Sequence, residues 1–219
     1  IVYDCACTRL SGPNITTGNP SIAVYRPEDW VRTIRHGVRP NGQPLRLMPS
    51  EDFNRLTDDD LAAIVAFVRQ LPPATGHLRA TLEYPLPARL LYGFGVIPDA
   101  VDRIDHTLPP STPVPEAESI EHGAYVAMAC IGCHGPDLAG GPIVTGPPDW
   151  PPAARLRGGP DSAMARYTDA ESFALMLRTG KRPDGSDIAV MPFESLSRFS
   201  DTDARALYLF LKGLPAGAR

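Results

Sequence analysis

Lysine is nearly missing from this 219-residue chain: Lys181 and Lys212 stand against 19 arginines. A docking face ringed with lysine is therefore excluded. Basic charge is not in excess either, since Lys+Arg 21 against Asp+Glu 25 leaves a formal net charge of -4. Without a basic block there is no electrostatic footprint for nucleic acid. No uninterrupted apolar run approaches the roughly 20 residues that span a bilayer. Strand-like alternation is absent, so no segment makes a convincing strand pair. An initial Met is also lacking, and a start at Ile1 fits a leader or anchor upstream. Loop formers are plentiful: Gly 19 and Pro 25 make up about a fifth of the residues. A hydrophobic content of 43% excludes wholesale disorder. The length fits one large domain or two small ones.

Cysteine is scarce but informative. The four are Cys5, Cys7, Cys130 and Cys133, and the last pair reads Cys130-Ile131-Gly132-Cys133-His134. Two thiols three apart with a His directly after them form the c-type haem attachment pattern. On a helical turn both sulfurs reach the haem vinyl groups as thioethers, and the adjacent imidazole lies under the iron. Two other readings compete. A zinc site needs two more Cys or His ligands, and a second pair with ribbon spacing is missing. A thioredoxin-like dithiol needs a βαβ context, which the pattern does not offer.

The chain repeats itself. Residues 30–72 align without a gap onto 173–215, and fifteen of 43 positions are identical, where composition alone gives ~3. Arg35-x-Gly37-x-Arg39-Pro40-Asn41-Gly42 faces Arg178-x-Gly180-x-Arg182-Pro183-Asp184-Gly185. Met48-Pro49 faces Met191-Pro192, and both copies close on Leu-Pro, at Leu71-Pro72 and Leu214-Pro215. Each copy ends in one amphipathic helix. Leu61, Ile64, Val65, Val68 and Leu71 recur at helical spacing in the first. Ala204, Leu207, Tyr208, Leu211 and Leu214 match them in the second. Thr57 with Asp60, and Ser200 with Asp203, predict N-caps. Glu28 to His36 and Ala170 to Thr179 read as helices stopped by Gly37 and Gly180. The fold class expected is all-α, as a tandem duplication.

A methionine in an apolar stretch is ordinarily core filler. Met191 departs from that rule. It lies in a non-helical stretch between two helices and is followed by Pro192, which pushes the preceding backbone to an extended form. It also aligns with Met48 in a repeat whose neighbouring positions diverge. A thioether opposite an imidazole is a known axial pair on haem iron and raises its potential. Met191 is therefore taken as the sixth ligand.

With these residues in place the chain resembles a tandem class I cytochrome c. It is similar to the di-haem cytochromes and to the cytochrome subunits of bacterial membrane dehydrogenases. The likeness covers residues 118–219 completely and 11–73 well. It places Gly123 and Tyr125 where the family's N-terminal helix crosses its C-terminal helix. It makes Cys130, Cys133 and His134 the attachment motif, with Met191 as distal ligand. It matches Gly146-Pro147 to the family's Gly-Pro, whose proline carbonyl accepts a hydrogen bond from the His ligand. The domains implied are 1–75, a connector over 76–117, and 118–219.

The first copy departs from the pattern. Ile1 to Cys7 looks like a helix end carrying attachment cysteines, but no Cys-x-x-Cys-His follows. Either the domain has lost its haem, or a stretch of the natural chain lies outside this sequence. The intact Met48-Pro49 loop favours the second explanation. The expectation is then that Cys5 and Cys7 are bonded to a haem whose distal ligand is Met48, with Phe53 and Ile15 lining it.

The remaining histidines, His36, His77, His106 and His122, read as solvent-facing or capping. Arg39 and Arg182 suit either a haem propionate or an ordinary turn equally well. In the connector, Pro85 to Gly95 is too apolar for a free tether and is expected to pack, while Pro109 to Pro115 reads as a stiff spacer. With both axial positions filled by protein, the iron has no place for a substrate. The reading is an extracytoplasmic electron-transfer protein with two haem c groups. It works free or as the cytochrome subunit of a larger, membrane-bound redox complex, its donor and acceptor unspecified, in the periplasm. The alternative is a di-haem peroxidase, whose signature would be a haem lacking the Met ligand.

Overall fold

The computed structural model describes residues 2–5, 8–46, 48, 50–76, 78–79, 81–83, 86–96, 99–143 and 149–217. The chain divides into two compact units, Ile1–Thr112 and Pro113–Arg219. The division falls inside the run from Pro109 to Pro115. Residues 76–112 accordingly fold as part of the first unit.

The first unit contains β1 (Val2–Cys5), β2 (Thr8–Ser11), α1 (Pro20–Ala23), α2 (Pro27–His36), α3 (Ser50–Phe53), α4 (Asp58–Gln70), β3 (Thr81–Glu83) and α5 (Leu86–Gly93). A 3₁₀ turn follows at Ala100–Arg103. The second unit contains α6 (Ile120–Val126), α7 (Ile131–His134), α8 (Ala170–Thr179), α9 (Phe193–Leu196) and α10 (Asp201–Gly213), with 3₁₀ turns at Ala127–Cys130 and Ala163–Arg166.

The helical expectation holds for both cores, with one correction. The first unit also carries an antiparallel three-stranded sheet in the order β1-β2-β3. Cys5, expected at a helix end, closes β1 and pairs with Thr8. Val2, Tyr3, Thr8 and Thr81 are β-branched or aromatic, residues that suit a pleated surface. Strands of three or four residues are too short to show alternation, which is why they escaped a pattern reading. Cys7, Pro49, His77 and the Gly146-Pro147 pair lie outside the described residues.

The repeat is visible in the backbone, at the same offset throughout. α2 and α8 both end on a left-handed glycine, Gly37 at φ 65° and Gly180 at φ 72°. The Gly37 and Gly180 carbonyls then accept from Leu45 N and Ile188 N. Between them, Arg39 N donates to Gln43 O, and Arg182 N to Ser186 O. The methionine loops also match: Met48 O accepts from Ser50 N at 2.8 Å, and Met191 O from Phe193 N at 2.9 Å. The hydroxyl oxygens of Thr57 and Ser200 accept from Asp60 N and Asp203 N, each at 3.0 Å, as N-caps. Arg35 pairs with Asp58, and Arg178 with Asp201, tying each helix to the start of the last one.

The cores differ in depth. In the second unit Phe173, Leu177, Ala204, Leu207, Tyr208 and Leu211 are all buried within one cluster. In the first, Trp30, Ile34 and Leu61 form a small one, with Val65, Val68, Phe53 and Met48 packed beside it. In the segment expected to pack, Pro85 to Gly95, the described residues Leu86, Leu90, Leu91 and Phe94 are exposed. Tyr92 lies under the Arg46 guanidinium, 4.5 Å from its ring centroid.

Candidate functional site

Residues 126–134 form one right-handed path. The 3₁₀ turn Ala127–Cys130 runs into α7, with Cys130 at φ -100°, ψ -18°, and Gly135 at φ 81° stops it. Cys130 and Cys133 therefore lie one turn apart, with His134 directly after. Cys130 is half-buried against the core and Cys133 is exposed.

His134 is buried, and its orientation is set by one hydrogen bond: Nδ1–H donates to the Ala154 carbonyl at 2.7 Å. That fixes the tautomer and leaves Nε2 as the nitrogen with an available lone pair. Burial pushes the imidazole's pKa below its ordinary value, and the bond to Ala154 offsets this only in part. The ring is neutral at pH 7, the form in which histidine binds a metal. The resemblance pointed to Pro147 for the accepting carbonyl; the described geometry assigns it to Ala154. A backbone carbonyl belongs to every residue type, so no side-chain signal could have located it.

The Ala154 carbonyl is itself clamped. Gly141 N donates to Ala153 O at 2.9 Å, and Ala153 N returns a bond to Gly141 O at 2.8 Å. Leu156 N donates to Leu138 O at 3.0 Å, and Gly140 N to His134 O at 2.9 Å. A Cβ on Gly140, which sits at φ 75°, would lie 2.4 Å from Ala153 O and 2.7 Å from Ala154 O. Only glycine permits this approach.

Met191 lies half-buried on the same apolar cluster as Cys130, Ile131, Leu138 and Leu156. The sequence paired Met191 with the Cys130–His134 string, and Met191 and Cys130 pack on one core. Two thiols on one helical turn, a neutral imidazole with its outer nitrogen tied, and a thioether on a shared apolar wall fit haem c. Among the described residues, no three or more His, Cys, Asp or Glu side chains converge to hold a bare metal ion. The zinc reading gains no support there.

Gly123 meets its expectation: α6 crosses α10 so closely that a Cβ on it would lie 2.0 Å from Ala206 O and 2.8 Å from Phe210 Cβ. His122, expected to face solvent, is buried, and its Nε2 bonds Asp203 Oδ1 at 2.7 Å. Arg182 donates to Ser186 Oγ at 3.1 Å and to Asp187 O at 2.6 Å, the ordinary turn role of its two readings. In the first unit His36 and His106, also read as bland, meet with Nδ1 atoms 3.0 Å apart.

Among the described residues of the first unit, Met48 occupies the place of Met191, while Cys5 ends a strand and no Cys-x-x-Cys-His string accompanies it.

Residues 120–211 match the family model described as cytochrome C oxidase, cbb3-type, subunit III. The chain is 26% identical over 230 residues to the fructose dehydrogenase cytochrome subunit of Gluconobacter japonicus, covering 94% of this chain and 44% of that protein. It is 28% identical over 225 residues to the alcohol dehydrogenase (quinone) cytochrome c subunit of Gluconobacter oxydans, covering 89% and 44%. It is 26% identical over 231 residues to the gluconate 2-dehydrogenase cytochrome c subunit of Pantoea cypripedii, covering 93% and 50%. The chain thus spans about half the length of these relatives. No described helix is long and apolar enough to cross a membrane. Alongside the attachment motif and the tied imidazole, these matches make the chain similar to the cytochrome c subunits of dehydrogenases.

Proposed function

We propose that the second unit carries one haem c through Cys130 and Cys133, with His134 and Met191 as its axial ligands. The bond from His134 Nδ1 to Ala154 carries this reading, because it presents Nε2 as the donor in a dry, preformed setting. The group supplies a one-electron couple. The residues do the rest. Cys130 and Cys133 anchor it, His134 and Met191 fill both axial positions, and the apolar cluster excludes water. With no open position on the metal, electron transfer is favoured over the peroxidase alternative.

The relatives are named as cytochrome subunits of dehydrogenases. By analogy this chain relays electrons from a dehydrogenase partner to an acceptor, outside the cytoplasm, where c-type attachment takes place. A second haem at Met48 would need a histidine that no Cys-x-x-Cys-His string in the first unit provides. A pyridine haemochrome assay on weighed protein tests the reading: one haem per chain is expected from residues 1–219 alone. None would overturn it, and two would show that the first unit finds its own ligand.

A further inference from the structure

The first unit brings two histidines together. His36 closes the last turn of α2, and His106 follows the 3₁₀ turn Ala100–Arg103. Their Nδ1 atoms stand 3.0 Å apart, with ring centroids 5.2 Å apart. At position 36 the helix stop does not require an imidazole. Thr179 stands there in the second copy, and α8 ends on Gly180 as α2 ends on Gly37.

The surroundings suit a bound cation. His106 Nε2–H donates to the Val101 carbonyl at 3.0 Å, so its Nδ1 carries the lone pair, the arrangement that metal-binding histidines adopt. In the metal-free protein one proton, on His36 Nδ1, fills the gap between the rings. His36 lies in the last turn of a helix of 10 residues, where the unpaired carbonyls favour positive charge. Both rings border a hollow lined also by Val31, Val38, Glu28 and Arg32, whose one acidic and one basic chain offset each other.

We infer that His36 and His106 form a two-histidine site for copper(II), with water at its other positions. Two nitrogens about 2.0 Å from one metal lie about 2.8 Å apart across a right angle and about 3.3 Å apart across a tetrahedral one. The observed 3.0 Å is nearer the first, which is the tetragonal geometry of copper(II) rather than the tetrahedral geometry of zinc. Copper(II) also binds nitrogen donors more tightly than the other divalent first-row metals. On binding, the rings turn to aim both Nδ1 lone pairs at the ion. The His36 proton moves to its Nε2, so both imidazoles stay neutral and no net proton is lost. The ion then ties the end of α2 to the segment after the 3₁₀ turn. The site uses residues of the first unit alone and stands independently of the haem.

The test adds copper(II) chloride to the oxidised full chain after its free thiols are blocked with iodoacetamide, so that no cysteine competes. Equilibrium dialysis should show one copper per chain bound at micromolar concentration. Electron paramagnetic resonance should show nitrogen splitting on the copper signal. Both should be lost in His36→Thr, which copies the second unit, and in His106→Gln. Copper should also slow amide exchange over residues 100–106 about tenfold in the unsubstituted chain, a readout that does not depend on how the variants fold. An absence of bound copper overturns the site, and so does copper held equally well by either variant. Unchanged exchange over residues 100–106 overturns it too, because the ion would then lie elsewhere.

Discussion

The Nδ1–H of His134 points at the carbonyl of Ala154, 2.7 Å away, across twenty residues of sequence. The two partners are held by different devices. His134 ends α7, while Ala154 sits on a loop pinned by reciprocal bonds between Gly141 and Ala153. The orientation of the imidazole is therefore a property of the loop.

Gly140→Ala tests that dependence. The new Cβ would press on the Ala153 and Ala154 carbonyls, and φ 75° strains any L-residue, by about 1–2 kcal/mol before the clash is counted. The expected outcome is a less stable second unit and a reduction potential that rises, because a loosened Nδ1 bond makes the imidazole a poorer donor. Thermal unfolding and a potentiometric titration measure the two effects. An unchanged potential would show that the carbonyl does not set the ligand.

The repeat, the helices stopped by Gly37 and Gly180, and the caps were legible in the sequence because each is local or periodic. Cys130 to His134 is a contiguous string, and the caps at Thr57 and Ser200 need only three residues each. What it concealed depends on distant partners. His122 looked solvent-facing because Asp203 lies 81 positions away. β1 and β2 were invisible because they are stabilised by each other and by β3, about seventy residues on. Ile64 and Leu207 occupy the same register in one pattern, yet only Leu207 is buried, because burial of that face depends on a second helix.

The His122–Asp203 pair should set the acid limit of the second unit. Burial pushes the Asp203 pKa up, but hydrogen bonds from His122 and Ser200, together with the His122 charge, outweigh it and leave the pKa lowered. A depressed carboxylate contributes stability that is present above its ordinary value near 3.8 and is lost as pH falls through the folded value. His122→Ala should cost about 1–3 kcal/mol at neutral pH. It should also flatten the stability profile below pH 4. Chemical denaturation at several pH values reads both, and a parallel offset without a change of slope would contradict the linkage.

His36 predicts a second pH response, in the first unit. His106 Nε2–H donates to Val101 O, so its Nδ1 accepts the proton of His36 Nδ1. Burial first, then the charges of His106 and Arg35, lower the His36 pKa below 6.5. A depressed histidine binds more protons when unfolded, so its contribution is present above pH 6.5 and is lost as pH falls through the folded value. Amide exchange across residues 100–106, taken relative to its intrinsic rate at each pH, should therefore quicken between pH 7 and pH 5. In His36→Gln that acceleration should shrink, and an identical pH dependence in the variant would remove His36 from the account.

Met191→Ala gives the most direct reading of the site. Three methionines line the second core: Met164 and Met176 are 3% and 5% exposed, while Met191 is half-buried in the loop between α8 and α9. Of the three, Met191 combines partial exposure with a loop whose backbone bond recurs in both copies of the repeat. Removing its thioether should open the sixth position, admit carbon monoxide to the reduced protein and lower the potential, because a soft sulfur donor favours the reduced metal. Met164→Leu conserves volume at a packed site and should cost less than about 1.5 kcal/mol, leaving both spectrum and potential unchanged. Absorption spectra with and without carbon monoxide separate the two variants. If Met191→Ala stayed inert to carbon monoxide and Met164→Leu did not, the ligand would be Met164, and the loop's shared geometry would be a matter of folding alone.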